Sequence, residues 1–468
     1  MPGPFAGIEL AGRALRNFQR ALDVTGHNIA NVNTRGYSRQ VAEFSASEPT
    51  AFWSNGQKMI GSGVQISSIN RIRDMFLEAR MRDGQSDLNQ YASLASQLDQ
   101  VQGVFNEPGE NGIANALDKF WNAWSGLASN PSDPGAKMQV RLAGETLASR
   151  IRTTYSELTR QSNQIGAEIQ STITEVNDIG QQIHDLNNEI RQSLAQGGQP
   201  NDLMDQRDVL VERLSGLVNV TTTNFDDGTM AVYISQHTLV EPAAPPTPLP
   251  SNVDFANARA GSIDIKSGRL RGLFDAQLKI EGGTVGVSTV KGYKTMLDDL
   301  ANELRTQINA VHKTIANPLD ITERFFADAP IGNPQTGAVD FDLDAHIKAD
   351  ASQILAGDPT KPGDGSIALQ LSAMRDSLQG TLSGKSFNSF YSEMISNLGR
   401  EAQFFSAKAE AQDSVVSQIE TQRQSVSGVS IDDEMANMLR FQRSYQAAAK
   451  LLTIFDQVTE DLIGMVRR

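Results

Sequence analysis

The sequence of 468 residues predicts a mainly α protein with a smaller β part, in which the N- and C-terminal segments form a long-helix bundle or coiled-coil rod and carry an outer β-rich insertion. Three patterns lead to this fold class. Apolar residues recur at alternating spacings of three and four near both ends, and a longer stripe of the same kind fills the middle. A turn-rich stretch with β-branched residues then interrupts the helical pattern. Apolar residues make up 39% and aromatic residues 6%, which is low for a protein built on one large core.

The first element is a helix at the N-terminus. Its stripe keeps the three-and-four spacing of an a/d seam from residue 8 to residue 29. The run 31–36 should end it, because Asn tolerates left-handed backbone and Gly provides a natural C-terminal cap. From this helix we predict five subunit-contact residues: Ile8, Leu15, Phe18, Leu22 and Ile29.

The last 40 residues repeat the pattern. Ser430 followed by Asp433 resembles a capping box at the start of this second helix. The apolar surface of the two terminal helices is too small to offset the backbone entropy of ordering them, so they need further neighbours from the rest of the chain or from other copies. The predicted subunit-contact residues here are Met438, Phe441, Tyr445, Leu452, Phe455, Leu462 and Val466.

The interior separates into three segments. Residues 37–200 read as hairpins followed by a long-helix rod domain, whose main stripe runs from Ile165 to Leu194 and ends before Gly197-Gly198. Residues 201–283 form an outer β-rich domain around the hairpin turn 226–228. In 284–428 helices return to the rod domain, one of them predicted near 285–316, with an acidic loop at 320–364 that holds nine acids and three basic residues. The terminal helices, 1–36 and 429–468, are the remaining two divisions.

Composition excludes several classes of function. The formal charge of −14 argues against nucleic acid as a partner, because phosphates require a basic face. The absence of cysteine excludes disulfides, thiolate metal sites and cysteine nucleophiles. There is no apolar run of 18 residues, so no membrane insertion as a spanning helix is expected. The first 20 residues also lack the apolar stretch of a cleavable signal peptide.

The motif search predicts no catalytic, cofactor or metal site. The five histidines lie far apart in sequence, and no metal-binding His spacing occurs. Asp340, Asp342 and Asp344 begin like a calcium loop, but Ala345 and Ala351 stand where that loop needs Gly and a bidentate Glu, which favours an exposed acidic strand. The stretch 380–386 is one residue too short between its glycines for a phosphate-binding loop and reads as a linker between helices.

Two terminal stretches carry a family resemblance. Residues 21–40, ALDVTGHNIANVNTRGYSRQ, resemble the N-terminal signature of bacterial flagellar rod, hook and hook-associated proteins, and residues 427–439, SGVSIDDEMANML, resemble their C-terminal signature. Three interior stretches, 201–208 (NDLMDQRD), 267–273 and 308–312, are similar to the hook-associated members of this axial family. The residues of the signature turn are Asn28, Asn31, Asn33, Thr34, Gly36 and Tyr37.

The resemblance implies a structural role without enzymatic activity. Members of the family pair their terminal helices into an inner tube and expose their middle domains, so it implies a helical ring of subunits that connects hook to filament. The implied partners are other copies of the chain, the flagellar hook protein, hook-associated protein 3 and a flagellar export chaperone. The implied location is extracellular, in the flagellum at the hook–filament junction, after secretion by the flagellar type III apparatus. No cofactor is implied.

Two alternatives remain open from the sequence. One is a different axial protein, such as a hook or distal rod component, which would share the ends but lack the 201–208 stretch and the long helical interior. The other is a secreted enzyme built into an axial frame, which would need a cluster of reactive side chains within 218–400. The sequence shows no such cluster.

Overall fold

The computed structural model describes residues 5–48, 50–51, 59–312, 324–328, 337–361 and 363–466. Helices dominate these ranges, as the fold class predicted. The helices are α1 Phe5–Ala30, α2 Met75–Phe105, α3 Ile113–Ser129, α4 Pro134–Ala195, α5 Asn201–Leu217, α6 Arg269–Glu281, α7 Tyr293–Val311, α8 Ala345–Ala349, α9 Ser366–Ala373, α10 Phe387–Ser427 and α11 Ile431–Val466.

The strands form small antiparallel sheets, the largest of them three-stranded. β1 pairs with β4, β2 with β3 and β11 with β12, while β5-β6-β7 and β8-β9-β10 make the three-stranded sheets. The stretch Trp53-Ser54-Asn55-Gly56, a turn signal within the hairpins predicted after residue 37, lies outside the described residues. The strand bounds are β1 Gln40–Ala46, β2 Thr50–Ala51, β3 Met59–Ile60, β4 Val64–Arg71, β5 Thr221–Asn224, β6 Met230–Ile234, β7 His237–Val240, β8 Val253–Asp254, β9 Arg259–Ala260, β10 Ile263–Asp264, β11 Gly283–Val285 and β12 Ser288–Val290.

Helix α4 is the longest helix among the described residues and packs against several others. Its 62 residues extend about 93 Å at 1.5 Å per residue. Asp133 caps its start by accepting a hydrogen bond from the Gly135 N–H, and Pro134 occupies the first turn, where no intrahelical donor is needed. Most of the apolar stripe predicted from Ile165 to Leu194 is buried along this helix, which over its whole length packs against α2, α3, α5 and α6. The middle stripe is therefore confirmed as a helix face.

The β5-β6-β7 sheet lies against the C-terminal half of α4. Asn187 of α4 is fully buried and binds strand β6 twice, accepting from the Met230 N–H at 3.1 Å and donating to the Met230 carbonyl at 2.8 Å. At Gly180 the helix comes so close to Leu239 that a Cβ would lie 3.2 Å from its Cγ. These contacts attach the β-rich insertion to the rod.

The helix predicted near 285–316 begins later than expected. Residues 283–290 form the hairpin β11–β12, and α7 starts only at Tyr293. The alternation of β-branched residues between Gly282 and Val290 is a strand pattern that competes with the helical reading. The hairpin also straddles the boundary placed at residue 283. The division into domains stays a prediction.

The acidic segment 320–364 differs from the loop that the sequence suggested. In its described parts, a short 3-10 helix at Ala338–Asp340 and helix α8 alternate with irregular chain. Phe325, Phe326 and Phe341 are completely buried, and Phe325 lies 5.3 Å from Trp124 of α3 between ring centroids. Aromatic burial therefore builds this segment into the core.

The three aspartates of the calcium-like motif, Asp340, Asp342 and Asp344, do not form the exposed strand that the sequence favoured. Asp340 pairs with Arg305 at 2.9 Å, and Asp342 pairs with Arg152 at 2.9 Å. Asp344 accepts a hydrogen bond from the His346 N–H and so caps α8. Each carboxylate is thus used in an ion pair or a cap. Among the described residues, no group of three His, Cys, Asp or Glu side chains is arranged to hold a metal ion.

The mainly helical fold class with a smaller β part is confirmed. The two terminal helices pack against each other beside the β1–β4 pair, and α10 returns along α2 to bring the chain to α11. In the described ranges, none of the helices is both long enough and apolar enough to cross a membrane.

Candidate functional site

The terminal helices α1 and α11 form an intrachain pair. Phe18 of α1, Phe44 of β1 and Phe441 of α11 make a row of rings with centroids 6.0 and 5.8 Å apart. Near the other end of the pair, a Cβ at Gly7 would lie 2.6 Å from the ring of Phe455, so only glycine admits this close approach. The pair is closely packed, and the strands hold one side of it.

Three of the predicted subunit-contact residues, Phe18, Phe441 and Phe455, take part in this intrachain packing. The role of the whole set in contacts between subunits stays a prediction. Half-buried side chains dominate the set, whereas Tyr445 and Leu462 are exposed, and the side chain of Val466 lies outside the described residues. The half-buried ones are Ile8, Leu15, Phe18, Leu22, Ile29, Met438, Phe441, Leu452 and Phe455.

A second apolar stripe on α11 was missed by the sequence analysis except for one of its members, Leu462. It lies on the C-terminal half of the helix, and its members are between 44% and 73% exposed. The spacing of three and four is the same as in the seam, so the pattern was present, but one stripe could not be told from the other without knowing where α1 lies. The stripe, called here the free stripe, comprises Leu451, Ile454, Val458, Leu462 and Met465.

The outer face of α1 is basic. Arg13, Arg16 and Arg20 follow one another at helical spacing, and Arg16 and Arg20 are exposed. Exposed acids lie near the end of α11, at Asp456 and Glu460. A helix pair with a basic face on one member and an acidic end on the other has complementary charges for a second copy of itself.

Asn28 is the centre of the signature turn. It is 1% exposed and uses both atoms of its amide. Its oxygen accepts hydrogen bonds from the Tyr37 hydroxyl at 2.7 Å and the Gln40 N–H at 3.0 Å, while its nitrogen donates to the Gln40 carbonyl at 2.8 Å and to Glu434 at 3.1 Å. A buried amide with all these partners joins α1, the following strand and α11.

The other signature residues shape the turn itself. Asn31 donates to the His27 carbonyl at the end of α1 and accepts from the Thr34 hydroxyl, each at 3.0 Å. Gly36 has a φ of +80°, and a Cβ there would overlap the side chain of Val209 on α5. Glycine is therefore required both by the left-handed backbone and by the close contact. Asn33 is exposed.

An ion pair between Arg39 and Glu434 completes the turn. Glu434, in the first turn of α11, is 2% exposed and accepts a hydrogen bond from Arg39 at 2.8 Å. Burial, together with the nearby carboxylates of Asp202, Asp205 and Glu434, raises the pKa of the Tyr37 hydroxyl, so this group remains a neutral donor to Asn28. Sequence spacing could not give Glu434 its partners, because Asn28 and Arg39 lie 406 and 395 positions away.

Family models match separate parts of the chain. Residues 98–317 match the model described as the flagellar hook-associated protein FlgK helical domain. Residues 8–37 match the flagella basal body rod protein model, and residues 420–465 match the flagellar basal body rod FlgEFG protein C-terminal model. The matched ends contain the paired helices, and the matched middle contains the long-helix body.

Relatives also match the chain over almost its whole length. The chain is 30% identical to flagellar hook-associated protein 1 of Bacillus subtilis (strain 168) over 99% of both chains. It is 25% identical to the protein of that name from Salmonella typhimurium, over 98% of this chain and 99% of the relative. A solved structure of the flagellar hook junction protein FlgK from Burkholderia pseudomallei shares the fold, with a TM-score of 0.57 and 16% identity, and covers 75% of this chain and all of the other.

Paired terminal helices on a long helical body define a structural subunit of the flagellar axial class. The chain belongs to the flagellar hook-associated protein 1 family. It is a structural protein of the hook–filament junction of the bacterial flagellum.

Proposed function

We propose that the terminal helix pair is the part of this protein that joins subunits to one another. The observation that carries the proposal is the free stripe of α11, which leaves five large apolar side chains uncovered beside a closely packed intrachain seam. Contiguous exposed apolar surface marks an interaction site. The free stripe binds the terminal helix pair of a neighbouring copy, as expected for a family of flagellar proteins.

Charge supports contact between copies. The basic face of α1 at Arg13, Arg16 and Arg20 and the acidic residues Asp456 and Glu460 of α11 attract one another across two adjacent pairs. Such a contact joins different surfaces of the two copies, so it extends an assembly and does not close it into a dimer. The half-buried seam residues act indirectly, because they hold α1 and α11 in the arrangement that presents the free stripe.

The neighbours in the assembled flagellum follow from the position at the junction. We infer that the proximal neighbour is the flagellar hook protein and that the distal neighbour is hook-associated protein 3. We further infer that an export chaperone covers the C-terminal apolar surface before secretion, and that the assembled protein is extracellular. The role requires no catalysis, and turnover of peptide, glycan or phosphoester substrates by the purified protein would contradict it.

The decisive variant is Val458→Asp, in the centre of the free stripe. A charge at this position disrupts an apolar contact between copies but leaves the α1–α11 seam untouched, because Val458 is already exposed in the single chain. We expect unchanged thermal unfolding of the purified protein and loss of filament attachment in cells that lack the native copy. Gln457→Asp adds the same charge to a neighbouring exposed position and should support normal motility.

Photo-crosslinking identifies the neighbours directly. A photoreactive residue at Ile454 should give adducts between copies of this chain in assembled flagella. Adducts at the two ends of the junction should contain the hook protein and hook-associated protein 3. Normal filaments with Val458→Asp, or no adduct between copies, would refute the free stripe as an assembly surface.

A further inference from the structure

The stretch 201–208, which opens α5, lies directly beneath the residues that follow the signature turn. Asp205 is 5% exposed and accepts hydrogen bonds from both the N–H and the hydroxyl of Ser38, at 3.0 and 2.8 Å. Arg71 of β4 pairs with the same carboxylate at 2.8 Å. One buried side chain of the body therefore holds the start of β1 and the end of β4 together.

Other side chains of the same stretch strengthen this attachment. Asp202 accepts a hydrogen bond from the Gln40 side chain at 2.9 Å, and Asn201 donates to the Ile69 carbonyl at 2.9 Å. Asp208 pairs with Arg71 at 2.8 Å and also with Arg73. Asp205 and Asp208 make their ion pairs at largely buried positions, where charge-assisted bonds are strong and directional, whereas Asp202 is exposed. The stretch is a clamp on the β1–β4 pair, on which α1 and α11 rest.

The clamp connects residues next to one family match with residues inside another. The clamped residues follow the N-terminal match to the flagella basal body rod protein model, whereas Asp202, Asp205 and Asp208 lie within the match to the FlgK helical domain. The ends are thus of a kind found across axial proteins, and the clamp belongs to the part characteristic of the hook-associated protein. At this joint the body, which matches the FlgK helical domain, determines how α1 and α11, which match models of other axial proteins, are held.

Apart from the clamp, the helix pair is attached to the body through the Arg39 N–H, which donates to the Ser427 carbonyl of α10 at 3.0 Å, and through the short chain connection from α10 to α11. Two open clefts of about 700 and 870 Å³ flank the signature turn. Between them the turn touches α5 through Gly36 on Val209 and through the ion pair of exposed Arg35 with Glu212 at 3.2 Å. An exposed ion pair constrains orientation weakly. Of the contacts between the terminal part and α5, the buried ones are therefore mainly those of the clamp.

We propose that Asp205, assisted by Asp202 and Asp208, is a specificity-determining positioning residue that sets the angle between the terminal helix pair and the body. It does so by fixing Ser38, Gln40 and Arg71. This angle determines how far, and in which direction, the body of each subunit projects from the assembled terminal helices. It therefore adapts a helix pair shared with other axial proteins to the hook–filament junction. The proposal rests on the proposed function in one respect, that the terminal pair is the assembling part.

The angle can be measured in the purified protein. Because the chain has no cysteine, Gln19→Cys on α1 and Ser171→Cys on α4 provide two unique sites for spin labels, both at exposed positions. Double electron–electron resonance should give a single narrow distance in the otherwise unchanged chain. Asp205→Asn and the milder Ser38→Ala should each broaden or displace that distance. Asp185 lines the cleft of about 700 Å³ and, among the described residues, accepts its side-chain hydrogen bond from Gln181 of its own helix, so Asp185→Asn should leave the distance unchanged.

The second readout separates positioning from folding. Ser38→Ala should leave the melting temperature of the body unchanged while motility falls, because Ser38, although buried at the joint, lies outside the apolar core of the body. An unchanged distance distribution in both Asp205→Asn and Ser38→Ala would overturn the proposal. A distance change that appears only with unfolding of the body would overturn it as well.

The outcomes also separate this proposal from the proposed function. If Val458→Asp abolishes assembly while Asp205→Asn keeps the parent distance and normal motility, the free stripe stands and the clamp is refuted. If Asp205→Asn changes the distance and motility while Val458→Asp assembles normally, the clamp stands and the free stripe is refuted.

Discussion

Glu434 at the start of α11 accepts a hydrogen bond from the side-chain amide of Asn28 near the end of α1, at 3.1 Å and across 406 positions of sequence. Both side chains are almost completely buried. The contact means that the two terminal signatures recognise each other within one chain. It is therefore part of the fold of the monomer and is present before any assembly.

Glu434→Ala should loosen α11 from α1. The change leaves the Asn28 nitrogen without one partner and Arg39 without its carboxylate, which costs about 1–3 kcal/mol for a partly accessible pair. Hydrogen exchange of the Met435–Leu452 amides should become faster, while amides in α4 keep their protection. Asp433→Asn, at an exposed position on the same turn, is the matched control and should leave the exchange of α11 unaffected.

Gly36→Ala should destabilise the signature turn. Its φ of +80° is unfavourable for any residue with a Cβ, and that Cβ would also overlap Val209. The expected loss is about 1–3 kcal/mol in the local unfolding free energy. Gly26→Ala is a strict comparison, because Gly26 lies inside α1 with open space around its Cβ position and should gain up to about 1 kcal/mol from helix propensity. Equal effects of the two substitutions would contradict this account of Gly36.

Phe325→Ala tests the core assignment of the acidic segment. The ring is completely buried against Phe120, Trp124 and Phe326. Its removal should lower the free energy of unfolding by about 3–5 kcal/mol. Val339→Ala lies in the same segment at a half-exposed position and should change stability by less than about 0.5 kcal/mol. Denaturant unfolding of both variants tests whether Phe325 belongs to the core. If the acidic segment were a mobile loop, both substitutions would leave the free energy of unfolding unchanged.

Asp298→Asn should change the pH dependence of stability. Burial raises the pKa of Asp298 to about 6, with Asp299 and Asp340 adding to the effect while Lys294 and a hydrogen bond from the Ala338 N–H oppose it. Between about pH 4 and pH 6 the folded chain retains a proton that the unfolded chain has lost, so ionisation of this group reduces stability as pH rises through that window.

The Asn variant lacks this titration and still offers an amide oxygen to Ala338. Relative to the parent it should therefore gain up to about 1 kcal/mol between pH 4 and pH 6, after allowance for solvent screening. The gain should remain constant above pH 6. Urea unfolding at pH 4, 5, 6 and 7 measures the difference, and a gain that falls as pH rises would contradict the assignment of a raised pKa.

The sequence by itself determined which segments are helical and where the family signatures lie. Residue spacing reports local periodicity, and the stripes of α1, α4 and α11 each extend over many turns, so their apolar faces could be recognised without a structure. The hairpin at 283–290 was mistaken for helix because a short apolar run fits either period. Turn chemistry likewise placed the end of α1 within the signature turn.

Only the tertiary structure decided which face of α11 meets α1 and which remains free. A stripe of three-and-four spacing shows that a face is apolar but does not name its partner, so seam residues such as Leu452 and free residues such as Val458 look alike in sequence. The same limit hid the pairs Asn28–Glu434 and Ser38–Asp205, whose members are 406 and 167 positions apart. Hydrogen bonds and burial depend on distance in space, and the packing of the body on the terminal helices brings those residues together.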